Sequence, residues 1–246
     1  MRRRLVFIHF ICSTLFLAIL LLPVVLSSQK TSKDVSIDDD SDWWSIIREN
    51  ANEETLKADE KDVQESTFRI LGITVGRDEL DAIQAKLGKA VVVTRGDAST
   101  GRSQICYRSE DSRTRLTFES GEVQYAFYLF IKGPNWTGSD LCSKSKFVTS
   151  GASTLSGLHL GQSPAQVKAL LGKPTKSLPN GDLIYFRQIR KRWGPVDLKK
   201  IRKYHPDLSD QKFHQNYDFY DMTAYIVAKF SDSKLIYLGV SKSETD

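Results

Sequence analysis

The densest group of side chains able to do chemistry lies in the second half of the chain. Arg187, Arg190, Lys191, Arg192, Lys199, Lys200, Arg202 and Lys203 fall within seventeen residues, with Trp193 among them. Cations at that density suit an anionic polymer, acidic lipid headgroups or an acidic protein face. The bland alternative is a solvated charged loop. Arg190, Lys191, Arg192, Trp193, Lys199 and Lys200 are therefore the candidate binding residues. His205, His214, Asp218 and Asp221 follow closely and could be read as ligands of a metal-assisted envelope hydrolase. Their spacing matches no established metal site. No nucleophile-elbow sequence marks a serine for acyl transfer, and His159, inside a glycine-punctuated lead, is expected to pack. The sequence offers no catalytic residue, no metal set and no cofactor motif.

Cys106 and Cys142 are the other chemically distinctive pair, and their state depends on where the chain goes. Arg2, Arg3 and Arg4 precede a run from Leu5 to Leu26 that only His9, Cys12, Ser13, Thr14 and Pro23 interrupt. A positive start and an apolar run make an export signal, and this run reaches the roughly 20 residues that span a bilayer. Residues 1–27 therefore read as a signal peptide cleaved after Ser27 or as a transmembrane anchor left in place. In both cases the arginines hold the N-terminus in the cytoplasm. The body is then periplasmic or extracellular, tied to the inner membrane if the leader stays. In such an oxidising compartment Cys106 and Cys142 are expected to form a disulfide; the alternative is two buried free thiols. Three charges of the net +5 belong to the leader arginines, leaving about +2, so no global nucleic-acid footprint is present.

Residues 28–66 are polar and acidic, with Asp38, Asp39, Asp40, Asp42, Glu53, Glu54, Asp59, Glu60 and Asp62, and read as a linker. Within it Asp42 could cap a short helix carrying Trp43, Ile46 and Ile47 on one face, packed on its own domain or on a membrane or partner.

The elements that position the basic stretch belong to an internal repeat. Phe68 to Gly76, with Gly72 and Gly76 four apart, leads into a helix capped by Asp78, with Leu80, Ile83 and Leu87 on one face and Gly88 as its stop. Leu155 to Gly161, with Gly157 and Gly161 again four apart, leads into a second helix. There Ser163 caps, Pro164 opens the first turn, and Gln166 completes a capping box. Val167, Leu170 and Leu171 form its face, and Gly172-Lys173-Pro174 ends it. A hairpin follows each helix: Thr114–Phe118 and Val123–Ile131 in the first, Ala224–Phe230 and Leu235–Val240 in the second. The closing glycine precedes the pre-turn phenylalanine by 30 positions in the first copy (88 to 118) and by 58 in the second (172 to 230). About 28 residues, roughly 188–216, are therefore inserted in the second copy, at the surface, where function concentrates. The predicted fold is α+β: two tandem units, 67–150 and 151–246, each a helix on a small antiparallel sheet, after the leader and linker.

A strand-like lead, G-x-x-x-G, a capped helix, L-G-K-P and a hairpin resemble the small SmpA/BamE-type bacterial envelope lipoproteins. Two such units in tandem also look like the secreted beta-lactamase inhibitor protein. Gly157-Leu158-His159-Leu160-Gly161 through Leu171-Gly172-Lys173-Pro174 carries the better match. The resemblance implies a non-catalytic module that binds another envelope or secreted protein. The chain departs from it in lacking a lipid-attachment cysteine and in having one cysteine pair rather than one per unit.

Three shorter strings carry less. His205-Pro206-Asp207 resembles the loop of J-domain co-chaperones, but Trp193-Gly194-Pro195 interrupts the helix that should precede it, so a proline turn is expected. Arg95-Gly96-Asp97 reads as an inter-strand turn. Asn135-Trp136-Thr137 is a formal glycosylation sequon, meaningful only in a eukaryotic secretory pathway.

Overall fold

The computed structural model describes residues 60–95, 101–121, 126–133 and 141–245. The leader, the stretch around Trp43, Gly96-Asp97 and the sequon lie outside them. Among the described residues no helix is long and apolar enough to cross a membrane.

A 3-10 turn (Glu65–Phe68) and a short ribbon of β1 (Arg69–Ile70) and β2 (Ile73–Thr74) lead into α1 (Leu80–Leu87). Strands β3 (Val92–Arg95), β4 (Arg102–Arg108), β5 (Arg115–Ser120) and β6 (Ala126–Lys132) follow as an antiparallel meander. The two-residue β7 (Ser143–Lys144) runs parallel to β4. Then come α2 (Pro164–Leu171), β8 (Lys176–Ser177), β9 (Leu183–Arg192), α3 (Pro195–Tyr204), α4 (Asp210–Tyr217), β10 (Phe219–Ser231) and β11 (Lys234–Thr245). The molecule is thus α+β, as its pattern predicts.

The sequence predicts a small sheet for each helix; among the described residues the strands that follow both helices join one large sheet, apart from the short β1–β2 ribbon. β6 pairs with β11, Ile131 opposite Leu238, giving the order β3-β4-β5-β6-β11-β10-β9-β8. The join satisfies both strands. Ile131, Leu238 and Val240 are all buried, and a strand whose neighbours are paired on both sides leaves no backbone group unsatisfied.

Strand alternation puts one face of the sheet into the core. Ile105 stands opposite Phe118 and Tyr107 opposite Leu116, all within 1 % of full burial. α1 adds Leu80, Ile83 and Leu87 to the same cluster, and α2 adds Val167 and Leu171. Leu170, predicted on the buried face of α2, is 44 % exposed, and of that face only Val167 and Leu171 enter the core.

The second helix starts as its sequence requires. Ser163 Oγ accepts from the Gln166 N–H at 3.3 Å, and the Ser163 N–H donates to Gln166 Oε1 at 2.8 Å. The first does not. Glu79 is the N-cap and makes no side-chain cap bond. Asp78, predicted in that role, instead accepts from the Thr74 N–H at 2.8 Å and pairs with Lys86. One residue of displacement moved its carboxylate onto the preceding turn. Both helices stop where a glycine takes positive φ, 103° at Gly88 and 80° at Gly172, a conformation that strains any side chain. The Tyr107 hydroxyl donates to the Gly88 carbonyl at 2.7 Å, and the Tyr185 hydroxyl lies 3.4 Å from the Gly172 carbonyl. Burial pushes both phenols up to about 12.

The single disulfide, Cys106–Cys142, ties β4 to the segment that enters β7. Both cysteines are buried, with Val93 and Leu141 packed on them.

Candidate functional site

The basic stretch divides between a strand and a helical hairpin. Gln188–Arg192, predicted as part of an inserted loop, continue β9, which pairs with β10 as far as Arg192 opposite Phe219. The excursion proper is α3 and α4. It closes at its base where the Trp193 N–H donates to the Asp218 carbonyl at 3.0 Å.

Alternation along β9 gives its cations different fates. Arg187 is 1 % exposed and donates to Thr175 Oγ1 at 3.1 Å and to the Lys173 carbonyl at 2.9 Å, which makes it a brace for the turn after α2. Lys191 meets Asp62 at 2.7 Å. Arg190 and Arg192 lie over the Phe219 ring, 5.4 and 5.9 Å from its centre, and Arg192 also pairs with Asp218 at 3.1 Å. Trp193, predicted as a contact residue, stacks on Tyr220 with centroids 4.1 Å apart, and so anchors the hairpin to the sheet.

In α3 the cations separate by face. Arg202 turns inward, 2.9 Å from Asp210 and over the ring of Phe213, the buried residue of α4. Val196, Lys199, Lys200, Lys203 and Tyr204 share the outer face at i, i+3, i+4, i+7 and i+8. Val196 is 66 % exposed and Tyr204 82 %. Lys200 has a weak partner in Asp197 at 3.7 Å. Of the six predicted contact residues, the structure sets Lys199 and Lys200 on one open face and places Arg190 and Arg192 around Phe219. Lys191 and Trp193 are engaged within the domain.

His205 stacks on Tyr217, and His214 Nδ1 donates to Asp218 Oδ1 at 2.6 Å. His205-Pro206-Asp207 forms the turn between α3 and α4. Asp221 sits in β10 opposite Arg190 and Thr245. Among the described residues no three metal-ligating side chains gather. His159 Nδ1 is 2.8 Å from the carbonyl of Leu160, within its own lead.

Comparison with protein-family models, curated proteins and solved structures found no match.

The hairpin's base responds to acid in a defined direction. The hydrogen bond from His214, with the charges of His214 and Arg192 behind it, holds the Asp218 carboxyl below the ordinary carboxylate range. A depressed carboxyl stabilises the fold above its unfolded value, and that contribution disappears as pH falls through the folded value. Replacing His214→Ala is therefore expected to raise the Asp218 midpoint toward the ordinary range, read from its side-chain carbon by NMR titration. An unchanged midpoint would show that His214 is not the cause.

A second polar cluster escaped the sequence reading. Lys242 is 0 % exposed, its ammonium 2.9 Å from Glu65 Oε2 and 2.6 Å from Glu244 Oε1. The latter is close enough for an ion pair but not aligned as a hydrogen bond. Arg77 reaches both carboxylates, at 3.9 and 3.6 Å. Burial alone would lower the Arg77 pKa, but Glu244, Glu65 and Asp197 together outweigh it and the net direction is upward. Burial, then Glu244, pushes the Tyr220 phenol up to about 12. The signal was present: Lys242 occupies the inward phase of β11, two residues after Val240. A charge in the apolar phase of a strand calls for buried partners.

Proposed function

We propose that the chain is an exported, non-catalytic binding module of SmpA/BamE-like or inhibitor-like type, presenting the α3–α4 hairpin to another envelope or secreted protein. The observation that carries this reading is that α3 buries no residue. Ten residues of helix are too few to persist in water by propensity alone. The core does not need this helix; Phe213 of α4 and, at the base, Trp193 on Tyr220 secure the pair. Such an element makes sense as a display surface held by a rigid sheet.

Two tandem units account for several correspondences. Each half has a glycine-led helix, a stop glycine with positive φ, and a tyrosine hydroxyl directed at that glycine's carbonyl. Chain order on one side of the β6–β11 pairing mirrors the order on the other. On this view the hairpin fills the place of the short 109–114 connection between β4 and β5. Export is supported by the leader's arginines and apolar run, with the leader either cleaved or kept as an anchor, and it agrees with a buried disulfide.

A photo-reactive residue placed at Tyr204 in cells is expected to capture a protease-sensitive adduct. That adduct should vanish when Lys199, Lys200 and Lys203 are changed to Glu. The reading fails if position 204 yields no protein adduct while the variant folds normally. One observation favours anionic lipid or polymer as a second reading: the outward cations of α3 are all lysines, a residue depleted at protein interfaces and suited to diffuse anionic surfaces. Loss of binding with rising salt, with no protein adduct, would favour it. The hydrolase reading through His205 and His214 has no comparable support, since their rings are turned to Tyr217 and Asp218.

A further inference from the structure

The two edges of the sheet are treated differently. At one end β8 is two residues long, Lys176–Ser177, and both are exposed; shortness and a lysine are standard protection against unwanted strand pairing. At the other end β3 pairs only with β4 among the described residues. Its sequence runs Val91-Val92-Val93-Thr94, β-branched throughout, with Val91 50 % and Val92 47 % exposed. High β-propensity, low charge and no proline make such an edge a template for another strand. Lys89 and Arg95 bracket the run in sequence. In an antiparallel pairing of two copies about Val92 they would fall opposite each other, which disfavours a second copy of this chain as the occupant.

Directly beside this edge is a cavity of about 190 Å³ lined by Glu79, Leu80, Asp81, Val92, Ser103 and Ser120. Leu80 and Val92 make apolar walls, Ser103 and Ser120 offer hydroxyls, and the carboxylates of Glu79 and Asp81 stand at the start of α1. Glu79, although the N-cap, does not spend its carboxylate on capping. Val92 belongs to both features: it is an edge residue and a wall of the cavity. A strand added to β3 would project every second side chain to the face where the cavity opens. An aliphatic stem ending in a positive charge matches walls of this kind.

We propose that β3 is a strand-addition site for an extended segment of a partner protein, and that this segment places a Lys or Arg side chain in the cavity between α1 and β3. Main-chain hydrogen bonds along Val92–Arg95 supply binding, and the acidic cavity selects the side chain. This surface is distinct from the hairpin and does not depend on what the hairpin binds.

The test uses the full mature chain and a fluorescent peptide of alternating Thr and Val with one central Lys, alongside its Lys-to-Glu counterpart. The Lys peptide should bind at least about tenfold more tightly than the Glu peptide. Glu79→Lys with Asp81→Lys should reverse the preference in protein that still unfolds in one cooperative transition, at a midpoint somewhat lowered because cations now stand in the first turn of α1. Val92→Lys, which charges the edge, should abolish binding of both peptides. Equal binding of the two peptides, no binding of either at millimolar concentration, or a preference that survives charge reversal each overturns the proposal. So does concentration-dependent self-association that Val92→Lys removes, since the edge would then belong to a second copy. A protein adduct at Tyr204 persisting through these outcomes would leave the hairpin reading standing and sink only this one.

Discussion

Converting Glu65 and Glu244 together to glutamine should cost the protein about 3–5 kcal/mol of folding stability, measured by denaturant titration near neutral pH. The effect is large because the partner left behind is Lys242, whose side chain is wholly buried. Removing one member of a buried pair strands the other in a medium that solvates it poorly. The two carboxylates are not equivalent. Glu244 is 13 % exposed and Glu65 41 % exposed, so Glu244→Gln alone should account for most of the loss. Water screens Glu65, and its single substitution should have a smaller effect. Adding Lys242→Met to the double variant should recover most of the stability, because a flexible apolar chain of similar length removes the charge and fills the space. If the double glutamine variant unfolds at the wild-type midpoint, Lys242 is solvated by something other than these two groups.

The double substitution Cys106→Ala/Cys142→Ala should cost about 3–4 kcal/mol by the chain-entropy estimate for a loop of this length. The cysteines are 36 positions apart, and the loop includes β5, β6 and the approach to β7. Freed from the cross-link, the unfolded chain gains many conformations, whereas the folded sheet keeps its β4–β5–β6 ladder. Reductant should lower the wild-type midpoint to that of the variant and leave the variant unchanged. A variant as stable as wild type in oxidising buffer would mean that the bond contributes nothing to the folded state. The 141–144 segment is the place to look for local damage, because the disulfide and the two-residue β7 pairing join it to β4.

Local chemistry was legible wherever a residue type serves one purpose. A serine, a proline and a glutamine at successive required positions can hardly mean anything but a helix start, and Ser163, Pro164 and Gln166 form one. Gly88 and Gly172 mark stops because few other residues tolerate their backbone angles. Asp78 misled because a carboxylate can cap a helix or fasten a turn, and one residue of register separates the two uses. Arg187 and Trp193 misled for a related reason. Their types announce binding, but strand alternation and the approach of Tyr220 turned both toward the domain itself.

The residues by themselves determined α1 and α2 with their stops, the two hairpins, the cysteine pair and the density of positive charge, all of which depend on neighbours a few positions apart; α3 and α4, read from sequence as an inserted loop, were not among them. Tertiary structure alone decided that β6 and β11 would meet to make one sheet, that Lys242 would be enclosed by Glu65 and Glu244, and that only part of the basic stretch would face outward. The physical reason is range. Backbone angles, caps and strand alternation are settled locally, whereas burial of a charge and pairing of distant strands depend on groups as far apart as Glu65 and Lys242. Whether such groups meet is set by how the whole chain covers its apolar surface.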